Sequence, residues 1–297
     1  MNNAPDILCI GSVLWDIIGR SPSHMRTGSD VPGRITRLPG GVAMNIAMTL
    51  HRLGMNPILL SAIGRDEEGV ELLNACNRLG LVTDYMYVSS DLPTDIYMAV
   101  EGGNGLIAAI ADAHSLEAAG DKILRPLTDG RLGSRKVPFA GKIALDGNLT
   151  EELLGEIAKS PLFAKSDLRV APASPGKAER LVPLLAHPGA TIYVNREEAG
   201  LLTHKKPDTS MQGAEALLER GAHRVVVTDG GGPATEGSRA GLISAQPPEV
   251  LVTRITGAGD TFMAAHIAAE VNGAARADAL DAALMAAADY VAGETPL

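Results

Sequence analysis

A run of small residues that ends in an aspartate, TGAGDTF at residues 256–262, leads directly into a helical pattern over residues 263–271. Small residues before a helix let backbone N–H groups converge on one point, which the positive end of the helix dipole also faces, so the run predicts an anion site. Because the charge of Asp260 would repel a bound phosphate, we interpret it as facing an alcohol. It would take the proton of that alcohol while the oxygen attacks a phosphorus held by the amides. The alternative is that Asp260 only caps the helix.

A second run, Gly40-Gly41, opens the helical pattern of residues 42–53 and precedes Asn45 on its first turns. Paired glycines let a ligand approach the backbone closely, and the Asn45 side chain offers both a donor and an acceptor, which suits a polyhydroxyl ligand better than a phosphate. Asp16 follows the first predicted strand, at the carboxyl end where open α/β sheets bind ligands. The plainer alternatives are a simple turn at the glycines and an exposed loop acid at Asp16.

Two further polar segments follow predicted strands in the second half of the chain. Asn195 and Glu198 lie one helical turn apart, so they are able to point at the same Mg²⁺-bound water or phosphate, although a solvated helix start is the plainer explanation. The run that ends at Thr228 leads into the turn Asp229-Gly230-Gly231-Gly232, which is able to cradle a nucleotide or is only a loop. The Walker-type, HExxH and GxSxG patterns do not occur in the sequence, which disfavours those chemistries.

The elements that must position these residues are short apolar runs that alternate with longer helical patterns, which is typical of a parallel sheet covered by helices. We therefore expect a doubly wound α/β core. The predicted strands are 6–10, 57–63, 142–145, 168–171, 191–194 and 224–228. The predicted helices are 42–53, 67–79, 150–158, 177–185, 197–202, 211–220, 258–271 and 277–291.

Two segments do not fit this alternation. Residues 14–38 contain several glycines and prolines and have no helical period, and residues 94–111 place the turn Glu101-Gly102-Gly103-Asn104-Gly105 between two β-prone arms, which is a hairpin signal. We expect these segments to form a small accessory sheet at one edge of the core. Such a sheet must cover its edges and its apolar face, and a lid over an active site, a dimer interface, or both would do so.

The composition excludes several classes of protein. The 297 residues carry 26 Lys+Arg and 35 Asp+Glu, a net charge of −9 with no basic run, which argues against a protein that binds nucleic acid through its phosphates. No apolar stretch reaches the roughly 18 residues that span a bilayer, and the first residues lack a signal-type pattern. The two cysteines, Cys9 and Cys76, have no metal-ligand spacing and fit a reducing compartment. We therefore expect a cytoplasmic enzyme that binds no nucleic acid and no membrane.

In this order and at these spacings, the four motifs resemble the ribokinase-like family of sugar and nucleoside kinases, the phosphofructokinase-B type, over essentially the whole chain. The resemblance implies one Rossmann-like α/β domain over residues 1–297, whose doubly wound, mainly parallel sheet has a small β lid from about 14–38 and 92–112. It also implies a homodimer formed through the lid, with ATP and Mg²⁺ as cofactors.

The resemblance assigns a role to each motif. It implies Asp260 as the catalytic base on the substrate hydroxyl, with an anion hole at Gly257, Ala258 and Gly259. The sugar would be held by Asp16, Gly40, Gly41 and Asn45. Asn195 and Glu198 would organise Mg²⁺ and the ATP phosphates, Glu198 through water, and the nucleotide would lie near Thr228, Gly230 and Gly232.

Within the family, three stretches are similar to pseudouridine kinases: residues 110–112, 146–150 and 171–177. The last resembles their DPVSxxK segment, although Ala171 replaces the acid, while Ser174 and Lys177 remain. Lys177 would contact an ATP phosphate or only solvate a helix, and Asn148 would read the sugar or the base. Thr94 and Asp112, at the two ends of the predicted hairpin region, complete the expected substrate contacts.

A departure from the family concerns Arg254, which stands where ribokinases often carry an aspartate of a monovalent-cation site. An arginine there removes a ligand and supplies a fixed charge, so we do not expect potassium activation. The reaction that fits best is ATP-dependent phosphorylation of a nucleoside 5′-hydroxyl, pseudouridine first. The alternatives are the same chemistry on ribose, adenosine or another nucleoside, or a non-catalytic dimer that binds a nucleotide or sugar. The intact Asp260 and glycine run favour a kinase over the binding protein.

Overall fold

A sheet of eight strands forms the centre of the structure, a computed structural model that describes residues 5–294. Its strands are β1 Ile7–Ile10, β4 Pro57–Leu60, β9 Lys142–Asp146, β10 Asp167–Ala171, β11 Ala190–Asn195, β12 Arg224–Asp229, β13 Gly232–Ser238 and β14 Gly241–Ala245. The spatial order is β14-β13-β12-β11-β10-β9-β1-β4, and the six strands from β12 to β4 are parallel. The doubly wound, mainly parallel sheet expected from the sequence is confirmed.

The strands form where short apolar runs allow burial on both faces. In β1, Leu8 and Ile10 face one hydrophobic cluster, whereas Ile7 and Cys9 face the other. Alternate side chains of a strand point to opposite faces, so a run that is apolar throughout fits only a sheet that is covered on both sides. The predicted strand 57–63 differs in detail, because the chain leaves the sheet after Leu60 and β5 (Ala62–Gly64) pairs with β6 (Tyr87–Ser89) in a separate two-stranded sheet.

Helices cover both faces of the central sheet. One layer contains α1 Val42–Arg52, α2 Glu67–Arg78, α7 Ala258–Val271 and α8 Arg276–Ala292. The other contains α3 His114–Ala119, α4 Glu151–Lys159, α5 Arg196–Thr203 and α6 Ser210–Glu219, with 3-10 segments at Gly120–Leu127 and Pro175–Leu184. The second 3-10 segment corrects the predicted helix 177–185. It contains Pro183, which lacks the N–H that an α-helix needs at that position.

The glycine turn predicted after β12 is present. It reverses the chain into an antiparallel hairpin, which the sequence did not predict. Residues Gly230 and Gly231 join β12 to β13 as an antiparallel hairpin, and β14 continues it to the edge of the sheet. Segment 114–127, which the sequence analysis left without a helix, also forms α3 and a 3-10 turn.

A second sheet of four strands stands apart from the central one. Its strands are β2 Leu14–Arg20, β3 Arg34–Gly40, β7 Ile96–Gly102 and β8 Gly105–Asp112, in the order β3-β2-β7-β8. The β7–β8 hairpin lies where the Gly/Asn turn predicts it. One row of paired residues runs across the sheet: Leu38, Asp16, Tyr97 and Ala111. We call this four-stranded unit the small sheet.

The topology places the functional region at the carboxyl ends of the strands of the central sheet. The chain moves from β1 to β4 on one side and later to β9 on the other, so the connections after β1 and β9 leave in opposite directions. A crevice opens at such a switch point, beside the carboxyl ends of the strands. Among residues 5–294, no helix is long and apolar enough to cross a membrane.

Candidate active site

A cleft of about 500 Å³ follows the carboxyl ends of five neighbouring strands. The residues that follow successive strands line it in spatial order: Ser12 after β1, Asn148 after β9, Lys177 after β10, Asn195 at the end of β11 and Thr228 in β12. The small sheet covers the β1 end with Asp16, Tyr97 and Ala111, and the start of α7 closes the other side with Gly257, Gly259 and Asp260. Residues from distant parts of the chain therefore meet in one cavity.

The carboxylate of Asp146, at the end of β9, holds the β1 side of the cleft together. Asp146 is fully buried, and its Oδ2 accepts hydrogen bonds from Ser12 N at 2.7 Å, Ser12 Oγ at 3.1 Å and Ala43 N at 3.1 Å. Its Oδ1 accepts from Asn148 N at 2.8 Å. A buried charge is tolerated only with such a full set of donors. Asp146 thereby fixes the exit of β1, the first turn of α1 and the exit of β9.

The two glycines before α1 are required by close approaches on both sides. At Gly40, a Cβ would overlap the carboxylate of Asp16. Gly41 has φ +97°, and a Cβ there would lie 2.5 Å from the carbonyl oxygen of Ser12. Only glycine combines that backbone conformation with that lack of space. The pair thus lets the small sheet and the β1 exit close onto the helix start, next to Asn45.

The carboxylate of Asp260 faces Asn45 across the cleft. Asn45 Nδ2 donates a hydrogen bond to Asp260 Oδ2 at 2.8 Å, and both residues line the cavity. Among the described residues, none donates a hydrogen bond to the carboxylate of Asp16, which also lines the cavity. Asp16 and Asn45, which the sequence assigns to the sugar, therefore lie close to Asp260, the predicted catalytic base. The carboxylate oxygens of Asp16 are available to accept hydrogen bonds from hydroxyl groups.

The pKa values of the carboxyl groups in the cleft are raised toward neutral pH. Burial raises the pKa of Asp260, the hydrogen bond from Asn45 lowers it, and the nearby charges of Asp146, Asp16 and Glu198 raise it, which together bring it to about 7. Burial alone raises the pKa of Asp16 to about 6. A carboxyl group with a pKa near 7 is well matched to accept a proton during a reaction at neutral pH.

The start of α7 presents free amides, but not the full set expected. Gly257 has φ +91° and no side chain caps the helix. The amide of Ala258 donates to the carbonyl of Ile255 at 3.0 Å, so it is engaged within the loop and Ala258 does not line the cavity. Within residues 5–294, the amides of Gly259 and Asp260 have no acceptor, and both residues face the cleft. The amides of Gly259 and Asp260 are therefore available to an anion at the place where the sequence predicts an anion site.

Asn195 and Glu198 point at each other rather than only into the cleft. Asn195 Oδ1 accepts from Glu198 N, and Glu198 Oε2 accepts from Asn195 N, each at 2.8 Å, which forms a capping box at the start of α5. Glu198 is buried and lines the cavity, and burial raises its pKa to about 7. The two side chains therefore cap α5, which is a structural role, while the Glu198 carboxylate remains at the wall of the cleft.

The side chains that line the cleft fit Mg²⁺ only if a bound substrate and water supply most of its coordination. No group of three or more His, Cys, Asp or Glu side chains in residues 5–294 forms a metal site. Mg²⁺ commonly keeps several waters and takes one or two carboxylates together with substrate phosphates. Glu198 lies at the wall of the cleft and forms no ion pair with any cationic side chain in residues 5–294, so it fits that mode of binding.

Several predicted site residues lie elsewhere. Thr94 is buried away from the cleft: its Oγ1 donates to Asp66 Oδ1 at 2.6 Å and accepts from Gly64 N at 3.1 Å, while Asp66 caps α2. Asp112 is exposed at the end of β8, and its neighbours Ala111 and Ala113 line the cavity instead. Gly230 lies in the hairpin turn and Gly232 begins β13, and neither lines the cavity, although Thr228 does. The substrate roles expected of Thr94 and Asp112 and the nucleotide role of the two glycines thus lack support.

Lys177 bonds away from Asn195 and Thr228, the residues that the sequence places near ATP. Its Nζ donates to Asn148 Oδ1 at 2.7 Å, and Asn148 Nδ2 donates to Ser12 Oγ at 2.9 Å. Lys177 is thereby connected through hydrogen bonds to the exits of β1 and β9 rather than to Asn195 and Thr228.

Three residues of the site were missed from the sequence: Ser12, Tyr97 and Asp146. Ser12 follows β1, and Asp146 directly follows the predicted strand 142–145, so a search for polar residues at strand ends would have found both. Tyr97 follows from pairing, because β7 places it beside Asp16 in the small sheet.

Comparison with known proteins agrees with this geometry. The family profile described as pfkB family carbohydrate kinase matches residues 4–293. The chain belongs to the pfkB family. The pseudouridine kinase of Escherichia coli (strain K12) is 30% identical over 277 residues, 90% of this chain and 84% of that one. The ribokinase of Bacillus subtilis (strain 168) is 28% identical over 279 residues, 90% and 86% of the two chains.

The fold is shared with solved structures of the family. A structure of Arabidopsis thaliana ribokinase complexed with ribose and ATP superposes with a TM-score of 0.76 at 21% identity, covering 97% of this chain and 93% of that one. Membership in the pfkB family confirms the resemblance found in the motifs. The protein is a kinase for a sugar or a nucleoside and belongs to an ATP-using family.

The position of Thr94 gives a first testable prediction. Replacing Thr94 with Val removes the hydroxyl at nearly constant shape and leaves the Gly64 amide without its acceptor. We expect the free energy of unfolding to fall by about 1–3 kcal/mol, with kcat/KM unchanged. Urea unfolding and steady-state kinetics measure the two quantities, and Thr94→Ser, which keeps the hydroxyl, is the control. A raised KM with unchanged stability would instead support the substrate role.

Proposed function

We propose that this pfkB-family kinase phosphorylates the 5′-hydroxyl of a nucleoside with ATP, and that pseudouridine is its preferred substrate. The observation that carries the proposal is the meeting of Asp16, Asn45 and Asp260 around one cavity whose remaining wall is suited to a base. The 30% identity to a pseudouridine kinase supports the choice among nucleosides.

The wall beside Asp16 has the properties that a base requires. Leu14, Tyr97, Ala111 and Ala113 provide an apolar surface, and Tyr97 is the half-buried aromatic side chain on the small sheet that lines the cavity. A flat ring packs well on an aromatic face, and the small side chain of Ala111 leaves space beside it. Ribose alone would leave this surface uncovered, which favours a nucleoside over a free sugar.

The opposite wall offers hydrogen bonds to the edge of a base. Lys177 has three N–H donors, and the oxygen of Asn148 takes one of them. The carbonyl oxygens of a pyrimidine are suitable acceptors for the others. We therefore assign Lys177, together with Asn148, to the base edge of the substrate rather than to ATP.

The chemical step follows from the positions of Asp260 and the start of α7. The 5′-hydroxyl lies against the carboxylate of Asp260, and its oxygen attacks the γ-phosphorus of ATP while the proton passes to an Asp260 oxygen. The bond between the γ-phosphorus and the bridging oxygen of ADP breaks in the same step. The open amides of Gly259 and Asp260 face the transferring group and stabilise the charge on its oxygens.

The proposed cofactors are ATP and Mg²⁺, with no monovalent cation. Magnesium, when bound, would neutralise charge on the ATP phosphates. Glu198 would hold it through water, with Asn195 keeping that carboxylate in position through the capping box. Thr228 would lie near the nucleotide, because it lines the same end of the cleft.

The small sheet would act as the lid and as the dimer interface. Its inner row, which includes Asp16 and Tyr97, faces the cleft, so closure would exclude water from the reacting phosphate. Its outer row exposes apolar side chains, with Ile35 77% and Ile110 69% exposed, and β8 has a free edge. A second copy of the chain would cover that face.

The role of Asp260 gives the central prediction. In Asp260→Asn the proton acceptor is lost at constant shape, and we expect kcat to fall by about 10²–10⁴-fold. In the wild type, kcat/KM should rise with pH through about 7, because the base acts only when deprotonated and burial raises its pKa to that value. Coupled-assay kinetics from pH 5 to 9 measure both effects. Asp121→Asn on the exposed surface is the control. Unchanged turnover in a folded Asp260→Asn variant would exclude this role.

A substrate panel tests the specificity. We expect kcat/KM to decrease from pseudouridine to uridine, adenosine and ribose. Lys177→Met should raise KM for pseudouridine about ten-fold, through the loss of a charge-assisted hydrogen bond, and should leave the turnover of ribose nearly unchanged. Lys165→Met, an exposed lysine, is the matched control. An equal loss with both acceptors, together with a raised KM for ATP, would return Lys177 to the nucleotide.

The oligomeric state tests the role assigned to the outer face of the small sheet. We expect a dimer in sedimentation equilibrium and a monomer for Ile110→Glu, because a buried unpaired charge opposes association. Met211→Glu alters another exposed apolar residue, on α6 and away from the small sheet, and should remain dimeric. A monomeric wild type would contradict the proposal.

A further inference from the structure

The loop that carries the anion site is held mainly by the last helix of the chain. Residues 246–257, between β14 and α7, form no regular secondary structure. Thr253 N and Arg254 N donate to Val291 O at 2.8 and 3.2 Å, and Arg254 Nε donates to Tyr290 O at 2.6 Å. The last turn of α8 therefore supplies carbonyl acceptors to this loop, at the helix end where carbonyls lack partners within the helix.

Tyr290 extends this attachment to the anion site itself. Its hydroxyl donates to the carbonyl of Thr256 at 2.7 Å. Gly257, the next residue, has φ +91°, and a Cβ there would lie 2.5 Å from the Tyr290 hydroxyl oxygen. The tyrosine thus contacts the two residues that precede the open amides of Gly259 and Asp260.

The ring of Tyr290 is itself held in place. The guanidinium carbon of Arg254 lies 4.0 Å from the centre of the ring, a cation–π arrangement. Burial raises the pKa of the Tyr290 hydroxyl, so it stays protonated and able to donate at neutral pH. Arg254 and Tyr290 also line a second cavity of about 110 Å³ that adjoins Asp16 and Asn45. Leu251 and Ile255, two apolar residues of this loop, are mostly exposed.

We propose that Tyr290 is a positioning residue for phosphoryl transfer, which holds Thr256 and Gly257 so that the amides at the start of α7 face the transferring group. The inference rests on the proposed function, since it concerns the same anion site. An amide that stabilises developing charge must already be oriented when the charge appears, so the holding contact acts on the transition state more than on substrate binding. The Tyr290 hydroxyl bonds to the Thr256 carbonyl and not to Asp16 or Asn45, so we expect its removal to change substrate affinity little.

The test is the variant Tyr290→Phe, which keeps the ring and the Arg254 contact and removes only the hydroxyl. We expect kcat to fall about ten-fold, the effect of one well-placed hydrogen bond on an anion site. KM for the nucleoside should stay within about two-fold, since Asp16, Asn45 and Asn148 are untouched. Rates are measured with whichever hydroxyl acceptor the wild type phosphorylates, and the melting temperature is recorded in parallel.

Tyr85→Phe provides the matched control, because an arginine, Arg131, also lies over that ring but the residue is remote from the cleft. An unchanged kcat for Tyr290→Phe overturns the inference, as does an equal loss in both tyrosine variants. A fall in kcat that is accompanied by an equal rise in KM and a lower melting temperature also overturns it, since that pattern belongs to a general structural role.

Should Tyr290→Phe not fold, Arg254→Lys replaces it, and the same selective fall in kcat is expected because the planar contact with the ring and the Nε hydrogen bond to Tyr290 O are both lost. An unchanged kcat in that variant overturns the inference. The wild-type rate with a nucleoside tests the proposed function, whereas the ratio of variant to wild-type kcat tests Tyr290. The two failures are therefore distinguishable.

Discussion

The buried carboxylate of Asp146 is the constraint on which the substrate half of the site depends. A charge with no access to water must be surrounded by donors, and Asp146 finds them in Ser12, Ala43 and Asn148. These donors belong to three segments that are far apart in the chain. Satisfying one charge therefore brings the exits of β1 and β9 and the first turn of α1 to fixed positions. The placement of Asn45 opposite Asp260 follows from that arrangement.

The same concentration of acidic groups sets the chemistry of the cleft. Asp146, Asp16 and Glu198 each raise the pKa of Asp260, so the proposed base has a pKa near neutral pH. A cleft with this much negative charge also repels ATP, and the open amides at the start of α7 and a cation at Glu198 would offset that repulsion. The cleft is thus acidic around Asp260, the proposed base, and supplied with donors where the proposal places the phosphoryl group.

The sequence predicted best what depends on neighbouring residues. The helices α1 and α7, the β7–β8 hairpin and the parallel strands follow from local periodicity and turn residues, and the family motifs located Asp16, Asn45 and Asp260. Contacts across long separations were not predictable in this way. Asp146 and Ser12 are 134 residues apart, and Tyr290 and Thr256 are 34 apart. Thr94 shows the converse error, because a threonine at a hairpin suggests a ligand contact until its hydroxyl is seen bonded to Asp66.

The anion site shows why distant contacts are necessary and not incidental. A glycine-rich loop gains its ability to bring amides close to a phosphate by giving up side chains that would otherwise hold it in place. Gly257 and Gly259 cannot anchor their own loop, so the anchor must come from another element. Here the last turn of α8 supplies it, through two backbone carbonyls and the hydroxyl of Tyr290. The catalytic geometry is therefore complete only when α8, the last helix of the chain, has packed beside α7. This makes the ordering of the anion site a consequence of folding the whole domain.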